Sequence, residues 1–350
     1  MADSSVFKRL KYKNIALAMA AILLTTLAIG RACSDDIPKQ DQQDASSRHQ
    51  AVPAAASDTE ESSKFSAEGF ENNCSYYNVR NKEALGEGDL LILNSAFRFN
   101  GTPGDLDGIY HYLFDSNGEQ IAWASTTELQ GSRRMLTAYN RMITDFYNKT
   151  GLSTIMATDI YNTSTERDKP CFEHESGLAI DLRLCMKDEG TFPEFTGEGD
   201  YAWFGSNSYK YGFILRYPEG KEDETGVEAM ANHYRYVGAP HAEIMFYNDL
   251  CLEEYIEYLK KYTLSSPLSF EGEDGGKYAL YYVEKSEDKS TNIPIPCNEQ
   301  GKEYICDISG DNKNGYIVTV LIDESEQAFD DDGAADDTSI EEAPAEDAQQ

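Results

Sequence analysis

The residues that could do chemistry in this chain are two imidazoles and a carboxylate. The stretch CFEHESGLAIDLRL, residues 171–184, sets His174 and Asp181 seven residues apart. A third candidate, His233, stands in the later stretch NHYRYVGAPHAEIM, residues 232–245. Neutral imidazole and carboxylate both suit zinc, and a catalytic zinc site uses three protein ligands and keeps one position open. Any one of these residue types is common in a structural role. The argument rests on the three together and on the elements that would have to bring them together.

Those elements can be read from the local pattern. Between His174 and Asp181 lies SGLAI, a turn followed by apolar residues, so the histidine belongs on a turn and the aspartate on a short strand. Residues 234–238 read as a strand leading from His233. Residues 154–161 alternate as a strand, and 206–215 read as a helix end running into another. The clearest helix is 127–148, where Leu136, Tyr139, Met142, Ile143, Phe146 and Tyr147 form one stripe and Gly151 is the stop. Shorter helices are expected at 240–245 and 252–262, and an apolar strand at 89–94. The fold class is α+β: a small antiparallel sheet with helices packed around it, ligands coming from strand ends and turns. After residue 262 the pattern changes to short β-type runs at 278–283, 292–296, 303–308 and 316–322, with a turn cluster at 311–315. This reads as a small all-β module, either a packing annex or a wall- or partner-binding unit.

The block around His174 and Asp181 resembles the His-x6-Asp motif of the VanY-like D-alanyl-D-alanine carboxypeptidases, zinc peptidases of the LAS type (peptidase family M15). Residues 203–241 are similar to the same family's second block, through KYGFILRYP, GKE, TG and the closing HYRYVG. Both blocks occur in the family's order and spacing, and the resemblance spans residues 86–263. It implies a zinc ion held by His174, Asp181 and His233, with a substrate peptide ending in D-Ala-D-Ala, as in the stem peptides of peptidoglycan. It also implies a glutamate general base three residues before the last histidine. Here that position is Met230, whose thioether takes up no proton; the nearest carboxylate is Glu228, five residues before His233. In a regular strand two residues shift a side chain by ~7 Å, so only a bulge would bring Glu228 into place. The family's SGYRS-type arginine has no counterpart in residues 154–162, although Arg167 follows; Phe172 stands where the family has a serine. Loss of the general base lowers rates by ~10²–10⁴ and loss of an oxyanion donor by ~10²–10³. Three readings therefore stand: a zinc D,D-carboxypeptidase, a protein of that fold that binds wall peptide without cutting it, and a wall protein with a metal-free pocket.

Composition limits the alternatives. The net charge of −32 argues against a nucleic-acid partner, which would need clustered Lys and Arg. Residues 323–350 carry twelve acidic side chains and no basic one, the composition of a solvated tail. Lys8, Arg9, Lys11 and Lys13 precede an apolar run at 15–29, which directs the chain to the membrane. A cleaved signal, an uncleaved anchor and a lipoprotein signal at Cys33 all fit. Arg31 speaks against the last, and the want of an A-x-A site favours the anchor, with the body outside the membrane. The expected organisation is an anchor or signal segment at 1–33, a Ser/Ala/Asp-rich spacer at 34–77, a peptidase-like domain at 78–263, the β module at 264–323 and the tail at 324–350. An extracytoplasmic body permits disulfides. The most local pairing joins Cys171 to Cys185 and Cys297 to Cys306, leaving Cys74 and Cys251; six cysteines allow fifteen connectivities.

Overall fold

The computed structural model describes residues 70–163 and 172–322. In chain order its strands are β1 (Cys74–Arg80), β2 (Leu106–Gly108), β3 (Trp123–Ala124), β4 (Gln130–Ser132), β5 (Ile155–Asp159), β6 (Ala179–Leu184), β7 (Phe213–Tyr217), β8 (Met230–Tyr236), β9 (Leu268–Glu271), β10 (Lys277–Glu284), β11 (Ser290–Pro296), β12 (Ile305–Gly310) and β13 (Gly315–Leu321). The longer helices are α1 (Arg133–Thr150), α2 (Ala239–Tyr247) and α3 (Leu252–Leu259). This is the α+β architecture expected.

The sheet that matters for function runs β3-β5-β6-β8-β7. Its pairings are antiparallel except for β3 with β5. Helix α1 covers one face: Leu136, Tyr139, Met142, Ile143 and Phe146 pack on Ile155, Ala157, Ile180 and Leu182 in one core. Those are the stripe residues of the sequence pattern, and burial of a stripe of this kind drives a helix onto a sheet. The helix ends at Gly151, whose φ of 73° gives the left-handed cap that glycine adopts without strain. It begins six residues later than the periodicity suggests, because residues 130–132 are claimed by the β2–β4 pairing.

The second sheet, β12-β13-β10-β9, is buried on both faces. Leu280 and Ile317 point to the core made with α2 and α3, where they join Ala242, Ile256 and Leu259. Ala279, Tyr281, Tyr316, Val318 and Val320 point the other way, against Ile293 and Ile295 of the β1–β11 ribbon. Two-sided burial explains why β13 reads as an almost unbroken apolar run rather than an alternation.

Three expectations are corrected here. Residues 89–94 form no strand: Leu90, Leu91, Ile92 and Leu93 are buried in an irregular segment tied to the end of the second sheet, Leu90 N–H donating to Ser309 Oγ at 2.9 Å and Ile92 N–H to the Asp311 carbonyl at 3.2 Å. The spacer expected over 34–77 lies mostly outside the described residues, but its last part is folded, with Phe70 buried and β1 paired along its length to β11. Cys74, Cys185, Cys251, Cys297 and Cys306 are thiols, and no disulfide joins them. Cys297 follows β11, whose partner is β1, whereas Cys306 lies in β12 beside β13; Cys74 opens β1 and Cys251 caps α3 on a different core. Burial pushes the Cys251 thiol up to about 11 and that of Cys306 up to about 12, so both stay protonated. The segments 1–33 and 323–350, Arg167 and Cys171 lie outside the described residues. Among those described, no helix is long and apolar enough to cross a membrane.

Candidate metal centre

His174 stands on the 3₁₀ turn Phe172–Ser176 that feeds β6. Gly177 closes the turn with φ of 68°, and a Cβ there would meet Leu106 Cδ2 at 3.1 Å and the Ser132 nitrogen at 3.2 Å. The sequence SG at this point is therefore required by backbone and space together. The His174 Nδ1–H donates to the Ile160 carbonyl at 2.6 Å, which fixes the tautomer and turns the Nε2 lone pair toward the sheet.

The sheet supplies the other two candidates. Asp181 on β6 lies directly opposite His233 on β8. Its Oδ1 lies 2.6 Å from His233 Nδ1 and 3.3 Å from His174 Nε2. One donor atom from each of His174, Asp181 and His233 falls within 4.8 Å of the others. Both histidines are fully buried; their rings meet at right angles, 5.1 Å apart, and Tyr217 stacks on the outer face of His233 at 5.2 Å. Burial alone would raise the Asp181 carboxyl, but the two imidazoles beside it, His174 and His233, outweigh that and hold it well below the usual carboxylate range. Two imidazole nitrogens and an ionised carboxylate are donor types that suit zinc; ligand bonds of ~2.0–2.2 Å in a tetrahedron place donors roughly 3.3–3.6 Å apart, a spacing that His174 Nε2 and Asp181 Oδ1 meet while His233 Nδ1 stands closer to Asp181. Asp159, the cross-strand neighbour of Asp181 on β5, is also buried, with its Oδ2 3.8 Å from His174 Nε2. Sequence reading passed over it because it stands outside both motif blocks.

Glu228 is exposed, two residues ahead of β8, and is not one of the three clustered donors. The ladder nevertheless changes how its distance should be counted. Leu215 pairs with Tyr234, but Tyr217 pairs with Met230, so two residues of β7 oppose four of β8. An unbroken ladder would put Asn232 opposite Tyr217. The bulge takes up two residues between Met230 and His233. Met230 thus sits at the level of residue 232 in a regular strand. Glu228 lies two residues beyond the end of this ladder, and the bulge shortens the path from it to His233 relative to a regular strand. β5 carries no arginine, as the sequence indicated.

Sequence reading also missed the groups behind the histidines. Glu173, Arg216 and Arg235 are all but inaccessible to solvent. The two arginines were visible within LRYP and HYRYVG, but nothing in the sequence paired them with a carboxylate adjoining His174.

The fold and site define a mixed α/β domain with a His–Asp–His cluster, able to hold a metal ion, at the centre of its sheet. The VanY family profile, described as D-alanyl-D-alanine carboxypeptidase, matches residues 161–239. A D-alanyl-D-alanine carboxypeptidase of Enterococcus faecium is 31% identical over 273 residues, 73% of this chain and 83% of the relative. The putative carboxypeptidase YodJ of Bacillus subtilis is 45% identical over 89 residues, 25% of this chain and 33% of that protein. Among solved structures, the vancomycin resistance D,D-dipeptidase VanXYg in complex with a D-Ala-D-Ala phosphinate analog superposes with a TM-score of 0.56 at 26% identity, covering 71% of this chain and 99% of that one. The chain belongs to the VanY-like D-alanyl-D-alanine carboxypeptidases, family M15, and is a carboxypeptidase-like hydrolase of that group.

Proposed function

We propose that the protein is a zinc-dependent D,D-carboxypeptidase that removes the terminal D-alanine from peptidoglycan stem peptides at the outer surface of the cell membrane. The observation that carries the reading is the convergence of His174 Nε2, Asp181 Oδ1 and His233 Nδ1 from a turn and two adjacent strands. Zinc held there supplies a polarised scissile carbonyl and a water of lowered pKa. The remaining work falls to the chain. The Ile160 carbonyl orients His174, and the stacked Tyr217 ring limits how far His233 can turn. Glu228 takes the proton of the attacking water and returns it to the departing D-alanine amine, a role supported by the bulge between Met230 and His233. The N-terminal basic and apolar run is assigned to tether the body outside the membrane.

The test is release of D-alanine from a muramyl pentapeptide by the purified protein, with and without a chelator. Zinc-dependent release is expected, and His174→Ala should abolish both zinc retention and release. One bound zinc with no product would overturn the catalytic reading. A second reading, a peptide-binding protein that does not cut, is favoured by the want of an arginine on β5. Calorimetry with a D-Ala-D-Ala peptide separates the two: binding without product supports the binder.

A further inference from the structure

The carboxylate beside the first histidine is the end of a buried ionic chain. Glu173 is completely buried on the same turn as His174. Its Oε1 accepts from Arg216 Nε of β7 at 2.9 Å, and its Oε2 accepts from Arg235 Nη1 of β8. Arg216 continues to α3, donating from Nη1 and Nη2 to Glu253 at 2.9 and 2.6 Å. Arg235 donates from Nη2 to the Asp89 carbonyl at 3.0 Å and from Nε to the Tyr236 carbonyl at 3.2 Å. One carboxylate thus fastens the turn that carries His174 to two strands. One of them carries His233 two residues before its arginine, on the same side of the strand.

Burial of two carboxylates and two guanidinium groups is a poor route to stability, since the desolvation penalty rivals the attraction and well-packed apolar residues often do as well or better. What the arrangement does provide is geometry. Forked, charge-assisted hydrogen bonds are directional and short, and they set the turn against β8. The histidines lie on those two elements, and each approaches Asp181. We infer that Glu173, through Arg216 and Arg235, is a positioning residue that sets the spacing of the His174 and His233 imidazoles for the metal. The inference rests on the zinc reading above.

The test measures zinc affinity by chelator competition on folded protein. Three proteins are compared: wild type, Glu173→Gln, and a triple variant, Glu173→Met with Arg216→Met and Arg235→Leu, which removes the fully buried charges and leaves only the part-exposed Glu253 without its arginine. Glu173→Gln is expected to keep one zinc per chain with affinity lowered about 10–100-fold, the range that outer-shell partners of metal ligands command. Its kcat should fall while KM changes little. The triple variant is expected to recover thermal stability but not affinity. Wild-type affinity in either folded variant overturns the inference and leaves the zinc reading intact. Failure of both variants to fold also overturns it, since Glu173 would then serve the fold. A wild type that holds no zinc sinks the zinc reading and this inference together.

Discussion

At the scale of single residues, chemistry turns on how far Glu228 stands from His233. Counted along the chain, the general-base position belongs to Met230; the bulge between Met230 and His233 is what supports the proposed role of Glu228 instead. The two assignments predict opposite mutants. Glu228→Gln should lower kcat by ~10²–10⁴ while zinc content stays at one per chain. Met230→Glu should leave kcat near wild type, because Met230, paired with Tyr217, sits where residue 232 would stand in a regular strand. A rise in kcat for Met230→Glu, with Glu228→Gln silent, would show that the chain count is the right one. The clustering of His174, Asp181 and His233 was legible in the sequence, because imidazole and carboxylate at motif spacing are local signals. The bulge was not: it is set by the partner strand β7, fifteen or so residues away, and no periodicity within 228–236 announces it. Glu173 was hidden for a related reason, since a carboxylate on a turn looks exposed until two arginines from other strands close on it.

At the scale of elements, the turn before β6 is the most constrained piece of backbone near the site. Gly177 combines a left-handed φ with contacts that leave no room for a methyl group. Gly177→Ala should destabilise the fold by roughly 1–2 kcal/mol from the backbone alone. It should also weaken zinc binding, since His174 moves with the turn; denaturant midpoints and chelator competition report the two effects separately. A second element-level device joins α2, α3 and β13. His241 is buried, with Nδ1 2.8 Å from the Tyr255 hydroxyl and Nε2 3.0 Å from Thr319 Oγ1. Burial lowers its pKa from 6.5 to about 4. The folded state therefore keeps His241 neutral while the unfolded chain takes up a proton first. Its contribution is intact above pH 6.5 and is lost as pH falls from 6.5 to about 4. At roughly 1.4 kcal/mol per unit this amounts to about 3 kcal/mol. Urea midpoints should drop over that interval, and His241→Gln should show a visibly shallower drop. Helix α1 and strands β5, β10 and β13 were readable because each buries a regular pattern. Residues 89–94 were misread because an apolar run signals burial without saying whether a ladder accompanies it.

At the scale of the whole molecule, the C-terminal sheet and the sheet carrying the His–Asp–His cluster share a core. Leu280 and Ile317 complete the apolar surface of α2 and α3. The sequence suggested a separable β module at 264–323, and truncation tests that boundary. Removal of residues 324–350 should leave the thermal midpoint unchanged. Ending the chain at residue 263 should expose the α2–α3 face and yield protein that aggregates or unfolds without a cooperative transition. A soluble, cooperatively folding 70–263 fragment would establish the module as an independent domain. Zinc should raise the midpoint of the intact protein in a concentration-dependent way, and a chelator should reverse the rise.

The pairing of Cys74–Arg80 with Ser290–Pro296 has a kinetic consequence. The first strand of the described body finds its hydrogen-bonding partner only after more than two hundred further residues have been made. Until then it presents an open edge that a second nascent chain could occupy. The sheet carrying the His–Asp–His cluster closes from neighbours much nearer in sequence, so it should be in place while that ribbon is still waiting. Refolding from denaturant should then regain zinc binding before the last protection of amide protons at residues 74–80, and high protein concentration should penalise the slow step alone.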